Sequence, residues 1–179
     1  MNDNPTSPQR GAAVTLRPIT QDNLRAVLRL KVAPHQEHFV ASNAVSLAQA
    51  LYSKEAWYRA IYADETPVGF LMLADDPVKP EYFLWRLLID QRYQHLGFGR
   101  RALALLIDYV KTRPGAVELL VSHDQGDGGP GPFYAGLGFE YTGQVLEDEL
   151  VMRLPLQPAA DAPAPAAAPA PLTHVVLFK

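Results

Sequence analysis

The segment Trp85-Arg-Leu-Leu-Ile-Asp90, running into Gln94-His-Leu-Gly-Phe-Gly99, constrains this chain more than any other. Residues 82–89 are almost all apolar, as expected of an inner strand covered on both faces. A glycine-containing turn follows and opens a helix in which Leu103, Leu106, Ile107 and Val110 recur at i, i+3, i+4 and i+7. Arg113-Pro114-Gly115 stops that helix. A strand, a tight turn and a helix in this order present unpaired backbone N–H groups at the helix N-terminus. Such a site can bind an anion such as a pyrophosphate.

Two common phosphate loops are excluded. No G-x-x-x-x-G-K-[ST] is present, so nucleoside triphosphate hydrolysis has no support. The dinucleotide fingerprint G-x-G-x-x-G fails as well, because Gly97-Phe-Gly99 continues as Arg100-Arg101-Ala102. The pattern that is present, Gln94-x-x-Gly97-x-Gly99, resembles the coenzyme-A pyrophosphate loop of the GNAT N-acetyltransferase family. Further along, Phe133-Tyr134-Ala-Gly-Leu137-Gly138-Phe139 is similar to that family's late aromatic segment, in the same order and at a fitting distance. The resemblance runs over roughly residues 14 to 155. It implies an α/β (α+β) domain of the acyl-CoA N-acyltransferase fold: a mixed, mostly antiparallel sheet with splayed central strands and flanking helices.

At 179 residues, 48% apolar and 20% charged, the chain is long enough for one domain with a sizeable core. A net charge of −3 without a Lys/Arg stripe argues against nucleic acid. The absence of cysteine removes disulfides, thiolate metal sites and a Cys nucleophile. No apolar run approaches the ~20 residues of a membrane span. The first residues, Met1-Asn-Asp-Asn-Pro-Thr-Ser-Pro, lack a signal-peptide core. A cytoplasmic protein with neither nucleic-acid nor membrane partners is expected, with homodimerisation left open.

Residues 1–12 read as a disordered lead and 13–156 as the catalytic domain. Within it, Val14-Thr-Leu-Arg17 is a strand ended by Pro18, and Thr20 can cap a helix burying Leu24, Val27 and Leu28. A second helical piece is predicted from Pro34 to Val40, and Ser46-x-x-Gln49 suggests a capping box for a third helix over 47–52. Strands are predicted over 57–62, 68–73, 82–89, 117–122, 139–142 and 150–154. Pro132 suits the first turn of a short helix carrying Tyr134, with Gly138 closing it. Residues 157–171 form a Pro/Ala-rich linker unable to build a core. The tail 172–179, with Leu172-Thr-His-Val-Val-Leu-Phe178, returns to strand chemistry. It is similar to the opening strand of a stress-responsive α/β-barrel domain, or is an apolar tail docking on a sheet edge.

The resemblance implies acetyl-CoA as co-substrate, no metal, and direct attack of an amine on the thioester, so that the protein supplies orientation and proton management. By the same resemblance, the backbone of Leu87, Leu88 and Ile89 pairs with the pantetheine arm. Gln94, His95, Leu96, Gly97, Phe98, Gly99 and Arg100 form the pyrophosphate loop, with Arg101 a further cation nearby. Cations are not favoured at a helix N-terminus, so Arg100-Arg101 fits an anionic ligand. Tyr134 matches the tyrosine that protonates the departing thiolate. Where many members carry an asparagine seven residues earlier, this chain has Asp127. The general base stays open among Glu81, Glu118, His123 and a water chain.

The segment 35–43 followed by Ser46-Leu47-Ala48, together with residues 82–90, resembles a bacterial subgroup of spermine/spermidine acetyltransferases. A polycationic acceptor calls for carboxylates and aromatic faces. Glu37, Tyr82, Trp85 and Glu149, the last within Glu147-Asp148-Glu149, are the candidates. The expected partner is thus a small-molecule amine. The rival readings are acetylation of a protein N-terminus or lysine, and a coenzyme-binding interaction module without turnover.

Overall fold

The structure, a computed structural model, describes residues 7–156. Seven strands form one sheet: β1 (Val14–Arg17), β2 (Ala56–Ala63), β3 (Thr66–Asp76), β4 (Glu81–Ile89), β5 (Glu118–His123), β6 (Glu140–Leu146) and β7 (Glu149–Pro155). The helices are α1 (Gln21–Leu28), α2 (Asn43–Ala50), α3 (Phe98–Lys111) and α4 (Gly131–Ala135). Single 3₁₀ turns lie at Pro34–Gln36 and Gln91–Tyr93. The spatial order is β1-β2-β3-β4-β5-β7-β6. Every neighbouring pair is antiparallel except β4–β5, which is parallel and registers only Phe83 with Leu120 and Leu84 with Val121. Past Leu84 the two strands part. Among the described residues no helix is long and apolar enough to cross a membrane.

Both faces of the sheet are covered, which is why the inner strands are mostly apolar. On one face α3 sets Leu103, Leu106 and Val110, all fully buried, against Leu71, Leu73, Tyr82 and Leu84. On the other, α1 and α2 bring Val27 and Leu47 onto Phe70 and Met72. Opposite Met72 and Leu73 the register of β4 slips by one residue, so Trp85 has no partner on β3. This bulge resets the alternation. Trp85 and Arg86 therefore both face α2, and Leu87 and Ile89 return to the α3 face.

Several local expectations need correction. Ser42, not Ser46, caps α2: its Oγ accepts from the backbone N–H of Val45 at 3.3 Å. Ser46 lies inside the helix, buried, and donates to the Ser42 carbonyl. The segment after Pro34 makes one 3₁₀ turn and not a helix to Val40. Of the stripe on α1 only Val27 is buried; Leu24 and Leu28 are 38% and 43% exposed. Beside Val27, the buried Asn43 of α2 donates from Nδ2 to the Val27 carbonyl. Residues 9–12, expected in a disordered lead, pack on the domain. Ala12 is buried, and its carbonyl accepts from Arg101 Nη1 at 2.6 Å. The linker 157–171 and the tail 172–179 lie outside the described residues.

Candidate functional site

The parting of β4 and β5 opens a cleft of about 700 Å³ at the carboxyl ends of these strands. Its walls come from four places. The end of β4 supplies Leu84, Trp85, Arg86, Leu87 and Ile89, and the end of β5 supplies Ser122 and His123. The third wall is the turn and first residues of α3, and the fourth is α4 with Phe133 and Tyr134. Glu149, the first residue of β7, and Glu37 with Phe39 after the first 3₁₀ turn complete it.

The turn before α3 is held from below. Asp90, 1% exposed, accepts from the backbone N–H and Nε of Arg92 with Oδ1, at 3.0 and 2.7 Å. Burial alone would raise its pKa, but these bonds and those to Oδ2 outweigh it and hold the carboxyl below the usual carboxylate range. Gln94 donates from Nε2 to Gln36 Oε1 at 2.8 Å and to the Ile89 carbonyl at 3.0 Å, so it braces the strand end while lining the cleft. His95 and Gly97 take positive φ, 61° and 81°. A Cβ on Gly97 would meet no atom within 4 Å; the glycine is there for its left-handed backbone. From Phe98 the helix begins, with the N–H groups of its first turn unpaired within the helix.

The two arginines of the first turn part company. Arg100 lines the cleft and is tethered by Nη2 to the Gly136 carbonyl at 3.1 Å. Arg101 is turned away from the cleft onto the Ala12 carbonyl, with its guanidinium over the Phe98 ring. A cation missed in the sequence replaces it: Arg10 lines the cleft and donates to the His95 carbonyl at 2.8 Å. Nothing in the N-terminal residues signals that contact, since it joins positions 85 apart.

Tyr134 is 6% exposed, between Phe133 and Phe139 at ring separations of 5.3 and 5.5 Å. Its short helix is closed as expected: Gly138 has φ 94°, and the Phe139 N–H donates back to the Tyr134 carbonyl. Burial first, and the charge of Glu149 second, push the Tyr134 pKa well above its ordinary value. The phenol therefore stays protonated throughout the neutral range. Opposite it, Glu149 Oε2 accepts from Ser122 Oγ at 2.5 Å. Arg86 lies on the same face as Glu149; burial lowers its guanidinium pKa and the Glu149 charge opposes that.

Of the other expected positions, Glu37, Trp85, Leu87, Ile89, Gln94, His95, Gly97, Phe98, Gly99, Arg100, Tyr134 and Glu149 meet in this cleft. The side chain of Leu88 points to the opposite face, against Leu30 and Val32, and Leu96 packs into the core beside α3. Tyr82 belongs elsewhere: it is 1% exposed, and its hydroxyl donates to the Pro114 carbonyl at 2.6 Å, at the far end of the strand. An aromatic in an apolar strand is core unless its face meets a cavity, and Tyr82 does not line this one. Glu81 and Glu118 begin their strands at that same far end. Only His123 of the three candidate bases lines the cleft, and Asp127 is exposed outside it. Arg86 was legible as a charge inside an apolar run, though its surroundings were not.

The sequence matches the family model described as Acetyltransferase (GNAT) family over residues 22–139. A curated relative, the spermine/spermidine N(1)-acetyltransferase of Bacillus subtilis, is 27% identical over 142 residues, covering 74% of this chain and 91% of its own. Among solved structures, the PaiA N-acetyltransferase of Thermoplasma acidophilum in complex with coenzyme A superposes with a TM-score of 0.61 at 18% identity. That match covers 80% of this chain and 99% of the other. The ribosomal-protein-S18-alanine N-acetyltransferase of Escherichia coli gives a TM-score of 0.60 at 19% identity, covering 83% and 97%.

Proposed function

The chain belongs to the acetyltransferase (GNAT) family, and we propose that it transfers the acetyl group of acetyl-CoA to a primary amine of a polyamine or similar small polycation. One observation carries the reading: the first turn of α3 and the buried Tyr134 line the same cleft, where β4 and β5 part. On its β5 side, the backbone of Leu87, Leu88 and Ile89 is left without registered strand partners. An amide-bearing pantetheine arm fits that edge as an added strand. The N–H groups of the α3 first turn, with Arg10 and Arg100 at the rim, suit a pyrophosphate.

Bound there, acetyl-CoA supplies a thioester carbonyl open to attack and a thiol as leaving group. The chain's own work is to exclude water, align the amine and manage protons. Tyr134 acts as the acid toward sulfur: its phenol is protonated at neutral pH and lines the cleft, while burial, by raising its pKa, restricts proton release to a strongly basic partner such as the departing thiolate. For the acceptor, the carboxylates of Glu37, Asp124 and Glu149 line the cleft beside the indole of Trp85. Opposite charge and an aromatic face are what a polyammonium chain requires. The name of the Bacillus relative supports the same acceptor class.

The test is thiol release from acetyl-CoA with spermidine, spermine, a lysine peptide or no acceptor. Turnover with the polyamines is expected. Turnover with the peptide alone would replace the acceptor class, and binding without turnover would make the chain an interaction module.

A further inference from the structure

We infer that Glu149 receives the acceptor's ammonium group and takes its proton before attack; this rests on the acetyl-transfer reading above. The opened sheet presents two faces to the cleft. Tyr134 and His123 belong to the α3/α4 face, while Ser122, Trp85, Arg86 and Glu149 belong to the opposite one. The amine attacks a face of the thioester carbonyl while the acid meets the sulfur, so the group that takes the amine's proton needs a place apart from the acid. Glu149 is on the side away from Tyr134, yet near enough for its charge to act on the Tyr134 hydroxyl.

Its carboxylate is also placed with care. Ser122 Oγ donates to Oε2 from the neighbouring strand, at 2.5 Å, which fixes one oxygen. The register of β5 with β7 sets this contact, since Ser122 pairs with Val151 and Glu149 is two residues before Val151, on the same face. His123, the rival base, has both ring nitrogens engaged: Nδ1 donates to the Asp124 carbonyl at 2.7 Å, and Nε2 meets the Tyr141 hydroxyl at 3.2 Å. Gly131 seals that pair, because a Cβ there would stand 2.7 Å from the Tyr141 hydroxyl oxygen. Glu37 is exposed at the rim.

Glu149 removes one proton from R–NH₃⁺, and the freed lone pair forms the C–N bond at the thioester carbonyl. The C–S bond then breaks with its electron pair going to sulfur, which takes the Tyr134 proton. The amide nitrogen gives up its second proton to solvent, a solvent proton restores Tyr134, and Glu149 releases its own to solvent. The products are the N-acetyl amine, the free thiol and one proton.

Glu149→Gln keeps the volume and an oxygen for Ser122 while removing the charge. It is assayed with spermidine, whose amines are ammonium at neutral pH, and with an O-alkyl hydroxylamine, which is already neutral. The variant is expected to lose about 10²-fold in kcat on spermidine and to stay within about 3-fold on the hydroxylamine. Calorimetry without acetyl-CoA should show weakened spermidine binding, and acetyl-CoA affinity should be unchanged. Ser122→Ala, which leaves the charge but frees the carboxylate, should lose several-fold on spermidine alone. Equal losses on both amines, or an effect confined to KM, would overturn the proton role. Absence of wild-type turnover on spermidine would overturn the polyamine-acceptor reading, and this role with it.

Discussion

Asp90 Oδ2 accepts the backbone N–H of Lys31 at 3.1 Å, tying the chain that leaves α1 to the turn that opens the cleft. The remaining contacts of this carboxylate, from the backbone, Nε and Nη2 of Arg92, are all donors as well. Asp90→Asn would set an amide NH₂ against at least one of them. It should destabilise the domain by ~2 kcal/mol at pH 7. The pH dependence follows from the direction of the shift. A depressed carboxyl pKa stabilises the fold above the ordinary carboxylate range, and the contribution is lost as pH falls through the lowered value. The gap between wild type and variant, read by denaturant unfolding, should thus narrow in acid. A constant gap would assign the effect to packing.

Gly97→Val should weaken acetyl-CoA binding by calorimetry. No neighbour would clash with the new side chain, so the effect comes from the backbone: a β-branched residue disfavours φ 81°. The turn would relax and re-aim its N–H groups. Unchanged affinity would remove the phosphate role from this loop.

Far from the cleft, Asp75 joins β3 to α3 by accepting from Tyr109 Oη at 2.7 Å and Arg113 Nε at 2.9 Å. Asp75→Ala should cost ~2 kcal/mol, or ~4–8 °C in Tm, while leaving kcat and KM near wild type. A change in activity at unchanged stability would show that the two ends of α3 communicate.

Much of this was legible in the sequence, and the reason differs from residue to residue. Gly97, Tyr134 and Gly138 could be placed because local backbone geometry and short motifs fix them. The strands could be placed because a sheet covered on both faces is written as apolar runs. What escaped depends on contacts distant in sequence. The slip at Trp85 arises from pairing with β3, and no local signal marks which residue bulges. Arg10 meets His95 only because the sheet edge brings residues 9–12 beside the turn. Ser46 mimics a cap by its spacing to Gln49, yet the helix already begins at Asn43, so Ser42 holds the cap and Ser46 is buried inside the helix. Tyr82 and Trp85 share one apolar strand, and only the parting of β4 from β5 decides that the second sees the cleft.

With a polycationic acceptor, binding should weaken as salt rises, because exposed charges are screened over ~10 Å at 0.1 M. Glu37→Gln should raise the spermidine KM modestly, by no more than a few-fold for a rim charge, with the acetyl-CoA KM unchanged. Salt-independent KM values would favour an acceptor recognised by shape.

Tyr134→Phe isolates the proposed acid, since it keeps the ring between Phe133 and Phe139 and removes only the hydroxyl. Steady-state thiol release by wild type and variant should show kcat reduced about 10²-fold, with acetyl-CoA affinity by calorimetry little changed. Full activity in the Phe variant would contradict the account, leaving Tyr134 a packing residue and catalysis resting on positioning alone.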